Sequence, residues 1–127
     1  MSDLRTPLSR VRGLGAAREG TGTFWRQRLT GMANIPLTLF GVGIVVGLTG
    51  ADHARALEVL THPLVAVTLA LMILSAAAHM RIGMKEIIED YVHGELAKIA
   101  LVTLSTFFCV FVGAVGVFSV LKIAFGG

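Results

Sequence analysis

The sequence predicts an all-α integral membrane protein with three transmembrane helices, on three observations. The chain has 127 residues, 54% hydrophobic and only 15% charged, whereas a soluble domain carries about 25% charged residues. Its mean hydropathy is +0.78, and so short a chain could not expose that much apolar surface to water without associating. The charges are also segregated: Leu29–Ala51, Val59–Met80 and Ile99–Leu121 hold no Asp, Glu, Lys or Arg over 23, 22 and 23 residues. About 20 apolar residues span a hydrocarbon core, and a helix satisfies its own backbone groups there. An ordinary soluble enzyme is therefore excluded. So are compositional disorder, with 3 Pro and 15 Gly, and a disulfide-stapled secreted domain, because the lone Cys109 cannot form an internal bridge.

Residues 1–28 read as a basic cytoplasmic segment and 29–127 as the membrane portion, with spans at 29–51, 59–80 extending to 92, and 99–121. Orientation follows from Lys and Arg, which are retained in the cytoplasm near span ends. Arg5, Arg10, Arg12, Arg18, Arg26 and Arg28 precede the first span, and the first connection holds only Arg55. The N-terminus is expected inside. The second connection, with Arg81, Lys85 and Lys98, returns inside and leaves Lys122 outside. An Arg-rich, acid-poor start also fits a mitochondrial transit peptide, the lesser reading. A secretory signal is disfavoured because the apolar run starts only at Leu29 and is long enough to span.

In the first span Pro36 removes one intrahelical hydrogen bond, and a local kink is expected beside Asn34 and Thr38. Gly41, Gly43 and Gly47, with Gly113 and Gly116 in the third span, permit close helix approach. Cys109 reads as a small buried hydrophobe.

The second span carries the chemistry. His62-Pro63 opens it, Pro being tolerated where the missing donor is not used. The helical pattern runs to His93-Gly94, roughly 45 Å against a core of about 30 Å. The surplus is amphipathic: Arg81, Lys85, Glu86, Glu89 and Asp90 alternate with Ile82, Met84, Ile87, Ile88 and Tyr91. His79 closes the apolar stretch, and an ionisable side chain at that depth needs a partner. At about 100° per residue, Ser75 lies about −40° and Gly83 about +40° from it. Small neighbours suit an axial ligand to a flat macrocycle, and neutral His is a usual iron ligand. The plainer alternative, a His bonded to a Ser, Thr or carbonyl of another helix, stays open. Taken alone, Tyr91 reads as an interface anchor and Asp90 as part of a solvated face. His53, His62 and His93 read as solvated or interfacial.

His79-Met80-Arg81-Ile82-Gly83-Met84, followed by Glu89-Asp90-Tyr91-Val92, resembles the H-x-x-x-G-M-x-x-x-x-x-D-Y-V signature of the small hydrophobic membrane anchor subunit of succinate dehydrogenase. Gly20-Thr21-Gly22-Thr23-Phe24-Trp25 with Arg28-Leu29-Thr30 is similar to that family's segment at the membrane edge. A His often stands near Thr23 in the family, and this chain departs from the family's pattern there.

The resemblance implies packing against a second three-helix anchor and a position-by-position set of roles. His79 would be an axial ligand of haem b shared with the cytochrome b556 anchor subunit, and Arg28 would approach a haem propionate. Tyr91 would donate a hydrogen bond to a ubiquinone carbonyl, with Asp90 in the polar surroundings of that site. It implies no catalysis by this chain alone. An iron–sulfur subunit and a flavoprotein subunit are the further partners, in membrane lipid, with no nucleic acid. The implied location is the bacterial inner membrane in preference to the mitochondrial one. The alternatives are an anchor of fumarate reductase or a related quinone oxidoreductase, and, in a different class, a small non-haem transporter or assembly protein.

Overall fold

The computed structural model describes residues 6–8 and 18–126. Helix α1 covers Arg18–Gly47, α2 His53–Leu60, α3 Pro63–Tyr91 and α4 Glu95–Ala124. The described residues include no strand. Three helices are long and apolar enough to cross a membrane, over Thr21–Gly47, Pro63–Tyr91 and Glu95–Ala124. The three-span, all-α expectation holds. Half of the basic N-terminal segment, including Arg5, Arg10 and Arg12, lies outside the described residues.

The boundaries move for physical reasons. α1 starts well before the charge-free run at Leu29 and is continuous through Pro36. Charge limits where a helix can enter hydrocarbon, but Arg and Gln are good helix formers and do not delay the helix itself. α1 ends in a turn in which Gly50 adopts φ 78°, a left-handed conformation that costs glycine little. α3 begins as the His62-Pro63 pair predicts: Pro63 occupies the first turn, and the Leu64 N–H donates to His62 Nδ1 at 3.3 Å.

The amphipathic helix α2 in the connection was not anticipated. Its signals are local: Asp52 accepts from the Arg55 N–H at 2.8 Å as N-cap, and Arg55 pairs with Glu58 at 2.8 Å one turn on.

α3 lies in the middle, with α1 and α4 packed on it and not on each other. Small residues set the approach. A Cβ at Gly113 would lie 3.1 Å from Ala77 Cβ, and one at Gly116 2.8 Å from Ile73 Cγ2. Cys109 is 2% exposed in this α3–α4 seam, as expected for a small hydrophobe. On the other flank, a Cβ at Gly41 would meet Met72 Sδ. Among the described residues only Ala66, Ile88 and Cys109 are buried apolar side chains, while many Leu, Val, Ile and Phe side chains point outward. That distribution is costly in water and natural in lipid or against other hydrophobic chains.

Candidate functional site

The polar end of the α1–α3 seam holds the site. Gln27, Thr30, Gly31 and Asn34 recur at helical spacing on α1 and face α3. Thr30 Oγ1 lies 3.1 Å from His79 Nδ1. The same hydroxyl donates to the Arg26 carbonyl at 2.8 Å, with the Gln27 carbonyl at 3.2 Å. A hydroxyl has one proton, and both carbonyls can only accept. With the Thr30 proton on a carbonyl, the Thr30–His79 bond takes its proton from His79 Nδ1–H, which donates to Thr30 Oγ1. In the neutral ring this leaves Nε2 with a free lone pair on the side away from Thr30.

Both open readings of His79 thus meet in one arrangement: it is bonded to a Thr of another helix, and that bond leaves a nitrogen able to take a ligand. The ring lines a recess of about 590 Å³ together with Phe24, Gln27, Arg28, Gly31, Met32, Ile35 and Glu86. Arg28 lies over the Phe24 ring, 4.8 Å from its centroid, which sets its guanidinium at the rim as a fixed cation. The structure therefore places His79 and Arg28 in one recess, mostly apolar, whose two charged side chains are Arg28 and Glu86.

Ser75 and Gly83 serve a different purpose from the one the angular argument gave them. Ser75 Oγ donates to the Thr30 carbonyl at 3.4 Å, and a Cβ at Gly83 would lie 3.3 Å from Gln27 Nε2. Their small size admits α1. Next to the ring, a Cβ at Gly31 would lie 3.4 Å from His79 Cε1, so it is the absence of a side chain on α1 that leaves the imidazole room. Gln27 Oε1 and Asn34 Oδ1 are buried with no hydrogen-bond partner among the described residues. Leaving a buried acceptor unpaired costs about 1–3 kcal/mol, so both oxygens are open to a donor.

Asp90 and Tyr91 are not in this recess. They end α3 about 17–18 Å along the axis from His79. Tyr91 is 78% exposed, and Asp90 is exposed beside it. Among the described residues no group of three or more His, Cys, Asp or Glu could hold a bare metal ion.

Sequence reasoning passed over Gln27, Gly31 and the role of Thr30. The recurrence of polar and small residues at 27, 30, 31 and 34 was the signal that could have shown a polar face.

The family model described as succinate dehydrogenase/fumarate reductase transmembrane subunit matches residues 2–116. The chain is similar to the succinate dehydrogenase hydrophobic membrane anchor subunit of Paracoccus denitrificans, 29% identical over 97 residues, which is 76% of this chain and 75% of that protein. No solved structure matches significantly.

Proposed function

The chain belongs to the succinate dehydrogenase/fumarate reductase transmembrane subunit family, and from that membership we propose that it is the small hydrophobic anchor of a succinate dehydrogenase, supplying half of a haem b pocket and one side of a ubiquinone-reduction site. The observation that carries the reading is the Thr30–His79 bond through Nδ1, which leaves Nε2 available on a ring that lines the same recess as Arg28. Family membership decides against the transporter and assembly-factor alternatives. The relative from Paracoccus, named a succinate dehydrogenase anchor, supports the choice over fumarate reductase.

The residues present fit a haem. His79 Nε2 is the ligand atom. Phe24, Met32 and Ile35 offer an apolar wall, and Arg28 a cation for a carboxylate. This chain would furnish one side, and the larger cytochrome b anchor would supply a further ligand and the rest of the pocket. Bound there, haem b supplies a one-electron redox centre near the quinone. The work of this chain is to hold and orient. Thr30 fixes the plane of the imidazole, Gly31 keeps space beside it, and Arg28 offsets negative charge in a medium where an unpaired carboxylate is costly.

Tyr91 stands at the far end of α3, exposed and able to donate one hydrogen bond to a quinone carbonyl. Asp90 beside it keeps that end polar and accessible to the protons that quinone reduction consumes. The remaining walls are assigned to the iron–sulfur subunit and the cytochrome b anchor, and the flavoprotein oxidises succinate at a distance. The basic end of the bundle faces the cytoplasm of a bacterial inner membrane.

The test is an absorption spectrum of the complex co-expressed with its partners. Wild type shows a reduced b-type band, and His79→Ala abolishes or displaces it. An unchanged spectrum in the variant rejects ligation by His79.

A further inference from the structure

On the opposite side of α3 from His79 lies a second recess, of about 200 Å³, lined by Thr23, Arg26, Arg81, Ile82, Lys85, Val102 and Thr106. It forms because α1 and α4 both pack on α3 but not on each other, leaving a trough over α3. Helical geometry separates the two sites: Arg81 and Lys85 point roughly 160° and 120° away from His79, whereas Glu86 comes back to within about 20° of it. Three cations from two helices thus converge on one side.

Their charge is largely uncompensated. Lys85 has one acidic neighbour, Glu89 at 3.7 Å, in a pair about half exposed. Neither Arg26 nor Arg81 has an ion pair among the described residues, and no acidic side chain lines the trough. Its depth is equally telling. Arg81 is the first charge after the apolar stretch of α3, and Arg26 lies just ahead of the apolar run of α1. The cations therefore sit at the edge of hydrocarbon, with Ile82 and Val102 as the apolar part of the lining. The corresponding recess at the other end of the bundle has a single cation, Lys122.

We propose that this trough binds the phosphodiester headgroup of an anionic phospholipid, Arg26, Arg81 and Lys85 surrounding the phosphate and the apolar floor receiving the start of an acyl chain. The chemistry follows from the position. A phosphate offers several acceptor oxygens that guanidinium groups match in pairs, and basic pockets between transmembrane helices at the cytoplasmic edge attract anionic headgroups. A free anion would satisfy the charges but not the apolar floor. The site does not depend on the haem or quinone assignments.

The experiment uses the complete complex, delipidated in neutral detergent. Thermal midpoint and retained lipid are measured after addition of phosphatidylglycerol, phosphatidylcholine or inorganic phosphate. Wild type is expected to retain phosphatidylglycerol and to rise in midpoint, with little response to the other two. The double variant Arg81→Gln, Lys85→Gln binds phosphatidylglycerol about 30-fold more weakly, from about a fivefold loss per cation. Arg81→Lys restores most of the binding, and Lys122→Gln behaves as wild type. An unaltered haem band in the double variant shows that a loss is not misfolding. If that variant fails to assemble, Arg26→Gln alone is used, with the same direction and a smaller loss. Equal retention by variant and wild type overturns the proposal, as does an equal response to inorganic phosphate. Loss of the soluble subunits with lipid binding intact also overturns it, by assigning the cations to an acidic protein surface.

Discussion

Thr30 and His79 stand 49 residues apart in sequence, and their Oγ1 and Nδ1 atoms are 3.1 Å apart. The bond orients the ring and also selects its tautomer, because the Thr30 proton is held by the Arg26 carbonyl at 2.8 Å. An imidazole ligand is conditioned by what its second nitrogen touches, and losing such a partner typically costs about 10–100-fold in metal affinity. Thr30→Val keeps the shape and deletes the acceptor. It is expected to lower haem retention in the purified complex by about 10- to 100-fold and to alter the low-spin electron paramagnetic resonance signal, while Thr30→Ser preserves both. Identical spectra for Thr30→Val and wild type would remove Thr30 from the ligand's support.

Arg28 should act on the same group through charge. Arg28 lies over Phe24 and lines the His79 recess, and in the proposed pocket it would face a haem carboxylate. Arg28→Gln is expected to leave the b-type band in position and to shift the haem reduction potential downward. A carboxylate that has lost its cation disfavours the electron-rich state. Redox titration measures this, and an unchanged potential would free Arg28 from the role.

The three spans were legible because burying a charge in hydrocarbon is expensive, so the gaps at Leu29–Ala51, Val59–Met80 and Ile99–Leu121 each mark a helix. The same logic could not find where α1 starts, since Arg26 and Arg28 are excluded from lipid but not from a helix. Helix α2 was missed although Asp52 and the Arg55–Glu58 spacing announce it, because attention to long apolar runs passes over an eight-residue helix. His79 was legible from its depth; its partner was not, since nothing local links Thr30 to it. Ser75 and Gly83 were read as space for a ligand, and packing spends that space on α1. Tyr91 and Asp90 entered by resemblance only, and on this chain they remain an exposed end that other chains must complete.

Packing of α4 on α3 gives a graded prediction. A methyl at Gly116 would lie 2.8 Å from Ile73 Cγ2, a branch fixed on Cβ that cannot swing aside. At Gly41 the obstacle is the thioether of Met72, the end of a flexible side chain, and at Gly43 nothing lies within 4 Å. Gly116→Ala is expected to destabilise the assembled bundle by about 1–3 kcal/mol, Gly41→Ala by less, and Gly43→Ala hardly at all. Thermal midpoints of the three complexes, followed by loss of the haem band, give the order, and any other order contradicts the seam described above.

Tyr91 offers the sharpest separation between anchoring and quinone chemistry. Its ring is largely outside the bundle, so removing the hydroxyl should not disturb folding or the His79 recess, which lies about 18 Å away along α3. Tyr91→Phe is expected to slow quinone reduction by roughly 5- to 30-fold, the effect of one hydrogen bond worth about 1–2 kcal/mol. Succinate oxidation with a water-soluble artificial acceptor should be unchanged, because those electrons leave before the membrane. The haem band should be unchanged as well. Paired assays on one preparation check this: equal rates with quinone in variant and wild type would leave Tyr91 as an interfacial anchor, whereas a parallel fall in both assays would show that it holds the soluble subunits in place.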